Sequence, residues 1–139
     1  MYKFRRRAFT LVELILVVSM VIILAVIGTS SSNKAKNKAI SKEAISNLKL
    51  IAAAERIYKM ESDTGVYTAC SCNSTATCNN VTTGCNQLLK LNLNPTNWSY
   101  TVTLAAGAAT ATATNASIGT YYLCSGNFDL EPKLGSCPP

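Results

Sequence analysis

The side chains with most capacity for chemistry are six cysteines and one misplaced carboxylate. Cys70, Cys72, Cys78 and Cys85 crowd into a loop rich in Ser, Thr and Asn, while Cys124 and Cys137 lie near the C-terminus. Thiols in this number in a small chain either oxidise in pairs or hold a metal as thiolates. The uneven spacing and the tight Cys70-x-Cys72 pair disfavour a four-thiolate zinc site, so three disulfides are expected. A bridge directly between Cys70 and Cys72 would close too short a ring.

The carboxylate is Glu13. It sits in FTLVELILVVSMVIILAVI, Phe9 to Ile27, where Thr10 and Ser19 are the other residues that are not apolar. An ionisable group in such a run is costly unless paired or near an interface. If the chain were cut between Ala8 and Phe9, the new ammonium would lie four residues from Glu13. That is close enough on a helix for self-pairing, or for the carboxylate of one copy to neutralise the amine of the next.

Catalysis finds little to work with. The chain has no His for general base work, and Asp129 and Glu131 are isolated in sequence. It carries neither a phosphate loop nor a nucleotide fingerprint, so no enzyme activity and no cofactor are expected. Asp63 or Asp129 with nearby carbonyls could approach calcium, but the oxygen ligands are too sparse and no metal is expected. Glu55, Arg56, Lys59 and Glu61 read as a solvated helix surface. Four glycosylation-type sequons begin at Asn73, Asn80, Asn97 and Asn115, and Thr110, Thr112 and Thr114 are candidates for O-linked sugar; unmodified polar surface is the expectation for all of them.

The elements that position these groups follow from charge and periodicity. The 139-residue chain carries 13 Lys and Arg against 7 Asp and Glu. Lys3, Arg5, Arg6 and Arg7 precede the apolar run, and Lys34, Lys36, Lys38 and Lys42 follow it. Removing residues 1–8 takes away four positive charges and leaves a net charge of +2. The 19 residues from Phe9 to Ile27 come close to the roughly 30 Å hydrocarbon core at about 1.5 Å per residue, which predicts a transmembrane helix. The Arg5–Arg7 cluster keeps its N-terminus cytoplasmic and sends the rest outward.

Ile40, Ala44, Leu48, Ile51, Ala54 and Tyr58 then recur at intervals of three and four, predicting an amphipathic helix to about Met60 that can be continuous with the apolar one. Glu61 to Gly65 should close it, with Gly65 as the C-cap. Gln87 to Lys90 suits a short helical turn. Trp98 to Leu104 alternates as a half-buried strand, AAGAATATATNAS suits a weak hairpin or a loop, and Ser117 to Cys124 reads as another strand. Two or three antiparallel strands on a long helix give an α+β head.

RRRAFTLVELILVVSMVIILAVIG resembles the class III leader and N-terminal segment of type IV pilins and type II secretion pseudopilins. The resemblance covers residues 1 to 67, and the rest agrees in architecture and cysteine placement. It implies a division into a basic leader at 1–8, a transmembrane and filament-core helix at 9–29, its amphipathic continuation at 30–61 and a disulfide-closed head at 62–139, the type IV pilin fold. It implies cleavage between Ala8 and Phe9 and N-methylation of Phe9. It makes Glu13 the assembly carboxylate, meeting the Phe9 amine of a neighbour, with Thr10, Leu11, Val12 and Leu14 completing the motif. Ala8 stands where the family usually has Gly, and Ile22 and Ser30 stand at its helix-loosening Gly and Pro.

The terminal pair, Cys124 with Cys137, resembles the closing loop of many pilins; the other four are expected to bridge locally, with connectivity inside Cys70 to Cys85 left open. The implied partners are copies of the chain, a prepilin peptidase and N-methyltransferase, an inner-membrane assembly platform with its ATPase, and minor pilins. The chain would lie in the inner membrane before assembly and in an extracellular filament afterwards, with adhesion, motility and DNA uptake as family-level roles and no specific nucleic acid. A secretion pseudopilin is the first alternative. The second is a single-span anchored domain whose Cys70 to Cys85 loop captures a ligand.

Overall fold

The structure, a computed structural model, describes residues 9–105, 107–125, 128, 131–135 and 137, with the side chains of 27–31 left aside. The leader, Ala8 and Asp129 lie outside the described residues. The fold is α+β: a long N-terminal helix and a small antiparallel sheet of five strands, with three disulfides. Contacts divide the chain into two units, 1–38 and 39–139.

Helix α1, Leu11–Glu61, belongs to both units. Its first turn is capped by Thr10, whose Oγ1 accepts the Glu13 N–H at 3.3 Å and whose carbonyl accepts the Glu13 and Leu14 N–H groups at 3.1 and 3.2 Å. These bonds satisfy donors that a helix start otherwise leaves orphaned. The backbone stays helical through Gly28 to Ser32 despite the poor propensity of Gly, Thr and Ser.

In the second unit one face of α1, marked by Ala44, Leu48, Ile51, Ala52 and Glu55, is buried in the core. The helix ends as the Ser62 N–H bonds to the Tyr58 carbonyl at 2.8 Å, and Gly65 then turns the chain at φ +61°, where a side chain would be strained.

The head continues with β1 (Cys70–Cys72), α2 (Thr75–Cys78), α3 (Cys85–Leu88), β2 (Ser99–Ala105), β3 (Ala108–Asn115), β4 (Gly119–Cys124) and β5 (Lys133–Leu134), in sheet order β1-β2-β3-β4-β5. The sheet exceeds the expected two or three strands because short β1 and β5 extend both edges; neither has enough residues to show a period of two. The AAGAATATATNAS stretch contributes β3, paired to β2 with Tyr100 opposite Ala113 and Val102 opposite Ala111. Ala109, Ala111 and Ala113 are fully buried while Thr110, Thr112 and Thr114 point away, so the small side chains form the inner face.

Three polar handles tie the helix to the sheet. Trp98 Nε1 donates to the Ile40 carbonyl at 2.9 Å, Asn47 Nδ2 donates to the Tyr100 hydroxyl at 2.7 Å, and Asn97 Nδ2 donates to Glu43 Oε2 at 2.9 Å. Buried aromatic rings with polar tips find partners in this way.

Cys70 bonds to Cys85, Cys72 to Cys78 and Cys124 to Cys137. The first two hold β1 to α3 and α2, and the loop between those short helices closes on Gly84. A Cβ there would stand 2.3 Å from the Cys78 carbonyl oxygen and 2.6 Å from the Asn80 backbone. Gly84→Ala is therefore expected to destabilise the head by about 2 kcal/mol, read as a lowered urea midpoint. An unchanged midpoint would show that the loop opens without cost.

Candidate functional site

Among its described residues the first unit presents a continuous apolar surface. From Phe9 to Val26 the large apolar side chains are between 48% and 75% exposed. A contiguous patch of this kind is far larger than a soluble monomer tolerates and marks a surface that another body covers. Glu13 is exposed in the first turn, and among the described residues no cation pairs with it. Its position three residues after the Thr10 cap makes a T-x-x-E sequence, the pattern of a capping box, and its charge favours the positive end of the helix dipole. That local role was legible in the sequence but overshadowed by the apolar context.

The transmembrane expectation changes on one point. Phe9 and Thr10 precede the helix instead of beginning it, and α1 then runs from Leu11 to Glu61. Among the described residues no helix is long and apolar enough to cross a membrane.

In the head, Glu55 corrects the expectation of a solvated charged surface. Glu61 and Lys59 are exposed, but Glu55 is fully buried. Its Oε2 accepts the Thr68 N–H at 3.0 Å, while among the described residues Oε1 has no hydrogen-bond partner. Burial pushes its pKa up from 4.5 to about 7, and the Thr68 N–H opposes only part of that rise. The cause is position: Leu48, Ile51 and Glu55 fall at i, i+3 and i+7 on the buried face. Lys59 instead lies over the Tyr67 ring at 4.6 Å, and Arg56 over Phe128 at 5.9 Å.

The sequon asparagines serve the fold. Asn80 Oδ1 accepts the Thr82 and Thr83 N–H groups, Asn115 Oδ1 accepts those of Ser117 and Ile118, and the Nδ2 groups of Asn97 and Asn115 donate to Glu43 and to the Asn97 carbonyl. Among the described residues, no three His, Cys, Asp or Glu side chains gather to hold a metal.

Comparisons with protein families, with curated proteins and with solved structures find no match. The two sets of groups that the sequence singled out fall in separate units, Phe9 and Glu13 at the start of α1 in the first and the cysteines in the second. Sequence reading missed Glu55 and a second exposed apolar stripe, Leu50, Ala53 and Ile57, on α1.

Proposed function

We propose that the chain is a structural subunit of a type IV pilus or related extracellular filament, with the type IV pilin fold. The observation that carries the reading is the bare apolar stretch from Phe9 to Val26, joined to a disulfide-bonded α+β head whose own core is closed. The resemblance of RRRAFTLVELILVVSM to the pilin leader and methylation motif supports it. Cleavage after Ala8 frees the Phe9 amine, and the Glu13 carboxylate of a neighbour neutralises it within the packed apolar stretches.

Before assembly the stretch lies in the inner membrane with the head outside the cytoplasm. The apolar run of the sequence from Phe9 to Ile27 supports this placement. Assembly requires the processing enzyme and an inner-membrane machine, and each copy adds the same contacts, so weak individual interfaces accumulate into a strong polymer.

Electron microscopy of sheared surface material, with intact-mass analysis of its protein, tests this. The expected result is filaments of a chain that begins at N-methylated Phe9 and is six hydrogens lighter than its reduced form. Membrane-bound monomer still beginning at Met1, with no filaments, would overturn it and favour a simple anchored domain.

A further inference from the structure

On the head, α1 and the turn after α3 enclose a groove of about 310 Å³. Leu50, Ala53, Ile57, Leu88 and Leu91 line it, and Glu61 and Lys90 flank it. Leu50 and Ile57 are each half exposed, so the groove is not needed to close the head's own core. Along α1 its wall consists of two neighbouring rows at intervals of four, one running Leu50, Ala54, Tyr58 and the other Ala53, Ile57, Glu61. The furrow between two such rows is the feature into which a second helix sets a ridge.

We infer that this groove seats the apolar segment of a second copy, residues Leu14 to Val26; the inference rests on the filament reading and names a surface within it. Leu14, Val18, Ile22 and Val26 recur at intervals of four and form an unbroken apolar ridge without a charge. The segment containing them is the continuous exposed apolar surface among the described residues, whereas the head's other exposed apolar side chains, such as Val81, Leu104 and Leu134, stand apart in sequence.

The charges agree with an apolar occupant. Glu61 and Lys90 make no ion pair with each other, and the lining between them is apolar apart from the Tyr58 hydroxyl. The groove has room for a ridge of side chains and not for a whole helix, so it covers one stripe of the incoming segment and leaves the other stripes for further copies. Its second wall is held by a strained turn: Lys90 has φ +52°, a left-handed conformation that costs a lysine on the order of 1 kcal/mol.

The test places p-benzoylphenylalanine at position 57 in filaments assembled from a mixture of light and isotopically heavy chains. After illumination, the expected adduct joins position 57 of one chain to residues 14–26 of another, with light-to-heavy pairs proving that two copies are involved. Adducts confined to other residues would overturn the inference.

Leu50→Lys with Ile57→Lys gives an independent reading, because both side chains are exposed and the head should retain its disulfides and circular dichroism. Filament yield is expected to fall by at least about tenfold, as burying unpaired ammonium groups would require. Filaments at wild-type yield would discard the groove while leaving the filament reading intact. No filaments from the wild-type chain would overturn that reading and this inference together.

Discussion

Glu55→Gln is expected to leave the stability of the head within about 1 kcal/mol of wild type at pH 4 and to raise it by about 2 to 3 kcal/mol at pH 8. The effect comes from one carboxyl group taken entirely out of water, with one oxygen bonded to the Thr68 N–H and the other unpartnered among the described residues. Its folded pKa is raised to about 7 from 4.5, so the folded chain holds that proton more tightly than the unfolded chain does. The stabilising contribution is complete below about pH 4.5, declines as pH rises towards 7, and is lost above that. A salt-bridged carboxylate has the opposite sign.

Gln retains an acceptor for Thr68 but has no proton to lose, so the variant's profile should be nearly flat across this window. Urea denaturation of the detergent-solubilised chain at pH 4, 6 and 8 gives the comparison. If wild type and variant lose stability equally between pH 4.5 and 7, some other group is responsible. If neither changes, water or a shifted rotamer must solvate Glu55 in solution.

Glu55 also shows where reading a sequence stops. The helical period from Ile40 to Tyr58 and the alternation from Trp98 to Leu104 each describe one element against one surface, and both were legible because burial imposes its period on consecutive residues. Glu55 lies on that same face, but its charge type argued for solvent, and only the packed head reveals that tertiary position overrode composition. The Thr10 cap is local and could have been read from T-x-x-E. The groove could not: Leu50 and Ile57 become a wall only when Leu88 and Leu91, more than thirty residues later, come to face them. Strands β1 and β5 are similarly long-range, since they owe their pairing to β2 and β4.

The largest effect should come from reduction of the disulfides, which is expected to unfold the head. In the chain-entropy account, the sequence separations of 15 and 13 residues for Cys70–Cys85 and Cys124–Cys137 are each worth about 3 kcal/mol, and the separation of 6 for Cys72–Cys78 about 2 kcal/mol. The first ring encloses the second, so these do not simply add, but together they are comparable with the whole stability of a small domain, roughly 5 to 15 kcal/mol. The segments they hold have few other means of staying folded: α2 and α3 are four residues each and β1 is three, far below the length at which such elements stand alone.

The bridges should also differ in kind. Cys70, Cys72, Cys78 and Cys85 are buried in the core, so replacing Cys70 and Cys85 by Ala removes packing as well as a constraint and should cost about 4 kcal/mol. Cys124 and Cys137 are only half-buried, and the same change there should cost nearer 3 kcal/mol and leave the core intact. Trp98 reports the difference, being almost wholly buried against Tyr121 and bonded to Ile40. Reduction should shift its emission to the red, while the Cys124→Ala, Cys137→Ala variant should retain the native emission until more denaturant is added. Native Trp98 emission after complete reduction would mean that the Trp98, Tyr100 and Leu48 core holds the head without its covalent ties.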